Sequence, residues 1–202
     1  MLVIGLTGPT GAGKSAVSEI FASFGLPILD ADRIYHELLI PPSECLDEMV
    51  ARFGAQILNA DHTLNRRALA AIVFDSQEAL ADLNTIAHAH VMKAARARLE
   101  ALRQSGIPAA VFDAPQLFEA HAERDCNIIV SVLALPELRL ERIMRRDGID
   151  EIATQKRMNA QYSDSFFRTH SDYVIENNGS PEHLRPAVYK ILTEMGVIHG
   201  EI

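Results

Sequence analysis

Cysteine is scarce in this chain: Cys45 and Cys126 are its two thiols, far apart and without CxxC spacing. That excludes a disulfide framework and a cysteine-based zinc site, and makes a reducing cytoplasm the expected setting. Long apolar runs are lacking too. The longest stretch, Ile128 to Leu135, falls far short of the roughly 20 residues that span a bilayer. Leu2 to Leu6 is too short for a signal-peptide core and no cleavage region follows it, so no membrane role is expected. Basic charge is in deficit, with 19 Lys and Arg against 27 Asp and Glu and a formal net charge of −8. Binding to DNA or RNA calls for a basic face, so nucleic acid is not an expected partner. A local basic pocket for a phosphorylated small molecule remains compatible with that balance. Among eight histidines, His88 and His90 are the close pair, and i, i+2 spacing on a helix points them apart. A histidine metal site is therefore not expected. Internal repeats and low-complexity tracts are absent.

What is present reads as one globular domain: 202 residues, 48% hydrophobic and 23% charged, enough to bury a core. Apolar runs alternate with helix-period stretches. "LVIGL" reads as a buried strand, "SAVSEIFASFG" as a helix ended by Gly25, and "LPILDAD" (26–32) as a second strand. "AAVFDAP", "NIIVSVLAL" and "DYVIENNG" supply three more strands. "PELRLERIMRRD" is a helix with proline in its first turn, and "SPEHLRPAVYKILTEMG" is a final helix expected to be capped by Ser180 and stopped by Gly196. This alternation predicts an α/β fold with a parallel sheet covered on both faces. From about 34 to 106 only helix-type sequence occurs, predicting a helical insertion at 33–106 that leaves the edge of the sheet. The polar segment 147–172 fits either a surface helix pair or a lid.

Gly8-Pro9-Thr10-Gly11-Ala12-Gly13-Lys14-Ser15 matches GxxxxGK[ST] at every fixed position, between a strand and a helix. Glycines let successive backbone N–H groups curl into a nest for phosphate oxygens, and the following helix adds its free N–H groups and positive dipole end. The expected phosphate contacts are Gly11, Ala12, Gly13, Lys14, Ser15 and Ala16. Lys14, expected to face solvent, carries charge to the β- and γ-phosphates; Ser15 meets Mg²⁺ through its hydroxyl. The loop therefore holds a nucleoside triphosphate.

Asp30 and Asp32, read as ending the second strand on one face, would lie at the C-terminal edge of the sheet, where ligands of open parallel sheets bind. A carboxylate there accepts the proton of an attacking hydroxyl or orients Mg²⁺, directly or through water; capping of the helix that begins at "RIYHELL" is the competing role. Asp113, at the end of "AAVFD", fits a Walker B-like carboxylate or a turn cap. Arg139, Arg142 and Arg146 line one helix face with Arg145 beside them, a face that suits solvent or the γ-phosphoryl oxygens. A guanine-specifying NKxD motif is absent, which removes the main sign of a nucleotide switch. Another P-loop kinase of a nucleotide or sugar-like alcohol is the nearest alternative.

The segments "GLTGPTGAGKS", "ILDADRIYHELL", "LNRRALAAIVF", "IAHAHV", "FDAPQLFE", "RLERIMRRDG", "KRMNAQ" and "DYVIENNG" resemble the dephospho-CoA kinase family over essentially the whole chain. The resemblance implies a P-loop NTPase-type five-stranded parallel sheet, a helical CoA-substrate domain and a lid. It implies that ATP, with Mg²⁺, phosphorylates the ribose 3′-hydroxyl of 3′-dephospho-CoA, giving CoA and ADP. On the same basis Asp32 is the catalytic carboxylate, assisted by Lys14. Arg142 and Arg146 are lid-side ATP contacts and Asn177 lies on the adenine side. Asp32, Arg66, His88, Leu117, Phe118 and Glu119 fall in acceptor-side motifs, and Asp32 or Asp113 reaches Mg²⁺ through water. Ala89 stands where the family commonly has proline, and Gln116 where leucine is usual. A monomer is the default expectation.

Overall fold

The computed structural model describes residues 1–198. The chain divides into two compact units: Met1–Leu29 together with the chain from Leu102 onward, and Asp30–Ala101.

The first unit is built around a sheet of five strands in the order β2-β3-β1-β4-β5. They are β1 (Leu2–Thr7), β2 (Ile28–Asp30), β3 (Ala109–Asp113), β4 (Ile128–Leu133) and β5 (Tyr173–Glu176). β1 runs parallel to β3 on one side and β4 on the other, and β4 runs parallel to β5. The register sets Leu6 beside Asp113 and Thr7 beside Ser131, so the segment after β1 emerges between the ends of β3 and β4. A central parallel strand has no solvent face, which is why "LVIGLT" and "AAVFD" are apolar without alternation. β3 is buried along its whole length, its terminal carboxylate included. Gly5 is required in β1 because a Cβ there would sit 2.8 Å from the Cys126 Sγ.

Helices α1 (Lys14–Ser23) and α9 (Leu184–Glu194) pack on one face of the sheet through Val17, Phe21, Val188 and Leu192 against Ile4, Leu6, Val111 and Val130. Phe118, Leu133 and Phe167 form a separate cluster with α8 (Asp164–His170). Helix α6 (Pro136–Asp147) follows β4, and α7 (Glu151–Asn159) precedes α8. Asp150 and Ser163 cap α7 and α8 through the Ala153 and Phe166 N–H groups.

In the second unit, α2 (Ala31–Leu38), α3 (Glu44–Phe53), α4 (Arg66–Asp75) and most of α5 (Gln77–Gln104) enclose a core of Cys45, Met49, Phe53, Ile57, Leu69, Val73 and Ile86. Ser43 and Asn65 cap α3 and α4. Among the described residues, no helix is long and apolar enough to cross a membrane.

Two expectations are corrected. The second strand stops at Asp30, not Asp32. The Asp30 carboxylate accepts the Arg33 N–H at 3.1 Å, a capping bond that turns the chain into α2 at once and moves Asp32 into its first turn. Ser180 does not cap the last helix, which begins at Leu184 after a 3₁₀ turn (Pro181–His183); the Ser180 hydroxyl donates instead to Glu182 at 2.6 Å.

Candidate active site

The glycine-rich loop joins β1 to α1 with the backbone its composition predicts. Gly13 has φ +89° and begins α1 without any side-chain cap, leaving that helix start to a ligand. A Cβ at Gly13 would lie 2.1 Å from the Asn177 Nδ2. At Gly8, with φ +149°, a Cβ would lie 2.3 Å from the Val132 carbonyl oxygen, so β4 passes too close for any side chain. Inside the loop the Ala12 N–H donates to the Pro9 carbonyl at 3.1 Å.

Lys14 is a third correction to the sequence reading: it does not face solvent. Its ammonium is paired with the Asp113 carboxylate, the two side chains being 16% and 6% exposed. The pairing follows from register, since Asp113 ends β3 beside Leu6 and the loop folds back over that strand end. The Ser15 hydroxyl is one residue along, on an exposed position.

The arginine face of α6 is turned onto the loop. Arg139 is 5% exposed; its Nε donates to the Thr10 carbonyl at 3.0 Å and its Nη1 pairs with Asp164 at 3.0 Å. Burial pulls this guanidinium below its ordinary pKa, and the Asp164 charge opposes the shift. Arg142, half-buried, reaches the Gly11 carbonyl at 3.3 Å and the Asn177 carbonyl at 3.1 Å. Arg146 is exposed and lies 3.5 Å from the Thr10 hydroxyl, held by Asp147 through Nε at 2.7 Å and Nη2 at 3.0 Å. Those bonds raise the Arg146 pKa and hold the Asp147 carboxyl at about 2, with Arg157 also bound to Asp147. Three cations on one helical face thus border a loop whose own groups favour anions. Asn177, buried, donates from Nδ2 to the Ala12 carbonyl at 2.8 Å and completes the frame.

Lys14, Asp113, Arg142, Arg146 and Asn177 are therefore gathered around the loop. Of the acceptor-side residues, Leu117 and Phe118 are buried, Leu117 completely, and pack within the first unit. Glu119 beside them is exposed. Asp32 is exposed on α2, Arg66 is the first residue of α4, and His88 lies half-buried on α5, all in the second unit. Among the described residues, no group of three or more His, Cys, Asp or Glu is placed to hold a metal. Arg139, Asp164, Thr10 and Gln161 also belong to the frame of the loop. Sequence offered a sign of two: Arg139 by its place in the arginine run, Gln161 by ending "KRMNAQ".

The model of the family described as dephospho-CoA kinase matches residues 2–183. A dephospho-CoA kinase of Syntrophotalea carbinolica is 40% identical over 195 residues, covering 96% of this chain and 92% of that protein. One from Listeria monocytogenes is 37% identical over 189 residues, 94% of each. The solved dephospho-CoA kinase from Campylobacter jejuni superposes with a TM-score of 0.72 at 26% identity, covering 97% of this chain and 98% of that one. Shikimate kinase from Acinetobacter baumannii, at 18% identity and a TM-score of 0.52 over 98% and 94% of the two chains, shares the fold.

Proposed function

The chain belongs to the dephospho-CoA kinase family, and from that premise we propose how its residues divide the reaction. The enzyme is a phosphotransferase with an alcohol acceptor: it phosphorylates the ribose 3′-hydroxyl of 3′-dephospho-CoA in the final step of CoA biosynthesis. ATP is the donor. The observation that carries this reading is the phosphate loop held open under three arginines of one helix, with its lysine beside a buried carboxylate.

Of the loop from Gly11 to Ala16, the backbone N–H groups of Gly11, Gly13, Lys14 and Ser15 receive the β-phosphate, while Ala12 and Ala16 border it with their N–H groups bound to the Pro9 and Gly13 carbonyls. Lys14 exchanges its bond to Asp113 for the β- and γ-phosphoryl oxygens, and Arg142 and Arg146 take up the charge that spreads over the γ-phosphoryl group. The donors available for Mg²⁺ are all oxygens, as that ion demands: the exposed Ser15 hydroxyl, and Asp113 or Asp32 through water. Those oxygens would hold Mg²⁺, which when bound would supply neutralisation of phosphate charge. Asp32 accepts the proton of the 3′-hydroxyl as that oxygen attacks in line. Arg66, His88 and Glu119 bind the acceptor, and Leu117 and Phe118 anchor the segment that presents Glu119. Asn177 borders the adenine. The segment 147–172 acts as the lid, and 33–106 as the acceptor domain. Cys45 and Cys126, both free thiols, suit the reducing cytoplasm.

The test is a coupled ADP-release assay with ATP and Mg²⁺ across dephospho-CoA, nucleoside monophosphates and gluconate. Turnover with dephospho-CoA well above that with water is expected. Release at the water rate with dephospho-CoA, or faster release with another acceptor, overturns the assignment.

A further inference from the structure

Thr10 occupies a variable position of the phosphate-loop motif, yet its backbone is gripped from outside at both ends. Its N–H donates to the Gln161 Oε1 at 2.9 Å, and its carbonyl accepts from the Arg139 Nε at 3.0 Å. The first bond fixes the Pro9–Thr10 peptide plane and the second fixes the Thr10–Gly11 plane, so two consecutive planes of the loop are set by side chains. Gln161 lies half-buried in the connection between α7 and α8. Arg139 continues to Asp164, the first residue of α8, so both grips are tied to that connection. Because the loop offers an N–H, the carboxamide must present its oxygen. An acceptor oxygen beside a polyphosphate site is unfavourable unless a donor consumes it, and here the Thr10 N–H does so.

We propose that Gln161 is a positioning residue for the donor nucleotide, its carboxamide oxygen holding the Pro9–Thr10 peptide so that the loop is shaped before ATP arrives. The inference rests on the reading of Gly8–Ser15 as the nucleotide loop. Glycine-rich backbone is costly to order, and whatever ordering is not done by the protein is taken from ligand affinity. Gln161 does this without touching the phosphates, which separates it from Lys14 and the arginines of α6.

The experiment measures ADP binding by calorimetry and steady-state kinetics in wild type, Gln161→Met and Gln161→Ala. Methionine keeps the volume and removes the acceptor. Both variants are expected to bind ADP about three- to tenfold more weakly, the range of one net hydrogen bond, with KM for ATP rising by the same factor. In both, kcat changes by less than about twofold, KM for dephospho-CoA is unchanged, and Tm stays within about 2 °C of wild type. Unchanged ADP affinity in Gln161→Met overturns the proposal. So does a loss seen in Gln161→Ala alone, with lowered Tm and both KM values raised, because that pattern marks packing. If wild type itself fails to bind ADP, the nucleotide-loop reading falls, a result distinct from either of these.

Discussion

The Lys14 ammonium is bound to the Asp113 carboxylate, and both side chains are largely enclosed. The lysine proposed to bind phosphate is thereby held against the strand next to the one that leads into its loop. Removing the lysine strands a buried carboxylate, which costs about 3–5 kcal/mol when a buried pair is broken. Lys14→Ala is therefore expected to lose both activity and stability, and Lys14→Ala with Asp113→Asn to regain most of the stability and none of the activity. Thermal melts of the two single variants and the double variant measure the coupling. Additive melting shifts would show that the pair contributes nothing to the fold.

Asp147 holds Arg146 and Arg157 at the end of α6, and those bonds keep its carboxyl at about 2, below the ordinary 3.8. A depressed carboxyl favours the folded state above its unfolded value, and that contribution disappears as pH falls from about 4 through about 2. The difference in Tm between wild type and Asp147→Asn should thus be constant from about pH 5 to 8 and shrink below about 4. The group is exposed, so about 1 M salt should also shrink the difference. A gap that widens in acid contradicts the assignment.

Much of this was legible in the sequence because the signals are local. The phosphate loop depends on glycines at fixed offsets, and the buried strands are continuous apolar runs such as "LVIGLT". The aspartates at the end of β2 are less legible: "DAD" fits a strand end or a helix cap equally well, and the bond that Asp30 accepts from the Arg33 N–H decides it. Lys14 departs from its sequence expectation because its partner lies 99 residues away, brought close by strand register. Arg139 looks identical in sequence to Arg142 and Arg146, but it is buried and spends its donors on Thr10 and Asp164. Only the packing of α6 separates this buried arginine from the half-buried Arg142 and the exposed Arg146.

Gly13 faces Asn177 across the loop, with 2.1 Å between its hypothetical Cβ and the Asn177 Nδ2. Gly13→Ala meets two obstacles, that clash and a left-handed φ of +89°, a backbone cost of about 1–3 kcal/mol. It should bind ADP at least about tenfold more weakly than wild type. Adding Asn177→Ala relieves the clash and not the backbone, so recovery should be partial. Full recovery in a calorimetric titration would show that the conformation of Gly13 is immaterial.

Burial raises the Cys45 thiol to about 11 and the Cys126 thiol to about 12, with Glu48 adding to the first and Asp125 and Glu123 to the second. Both should resist a thiol-specific disulfide reagent at about pH 8 in the native protein and react fully in denaturant. The sign of the linkage is the reverse of that for Asp147. A raised thiol favours the fold below its unfolded value near 9, and the benefit is lost as pH climbs towards 11 and 12. Wild type should therefore lose Tm above about pH 9 faster than Cys45→Ala with Cys126→Ala. Rapid native labelling, or parallel pH profiles, would contradict the burial argument.

Asp30 and Asp32 are two residues apart and do different work. The Asp30 carboxylate accepts the Arg33 N–H and caps α2; asparagine caps equally well, so Asp30→Asn should leave stability and kcat nearly unchanged. Asp30→Ala should cost about 1 kcal/mol of stability, the usual loss for a missing cap. Asp32 lies in the first turn of the same helix, at an exposed position. A base must be reachable by the acceptor hydroxyl, and the exposed position of Asp32 is compatible with the role proposed for it. Asp32→Asn removes the proton acceptor and keeps the size, so kcat should fall by about 10²-fold or more while ATP affinity stays near wild type. Rapid-quench measurement of a single turnover at saturating substrates isolates the chemical step. If Asp32→Asn weakens binding of ATP with Mg²⁺ and leaves that step at its wild-type rate, Asp32 places the metal and another group receives the proton.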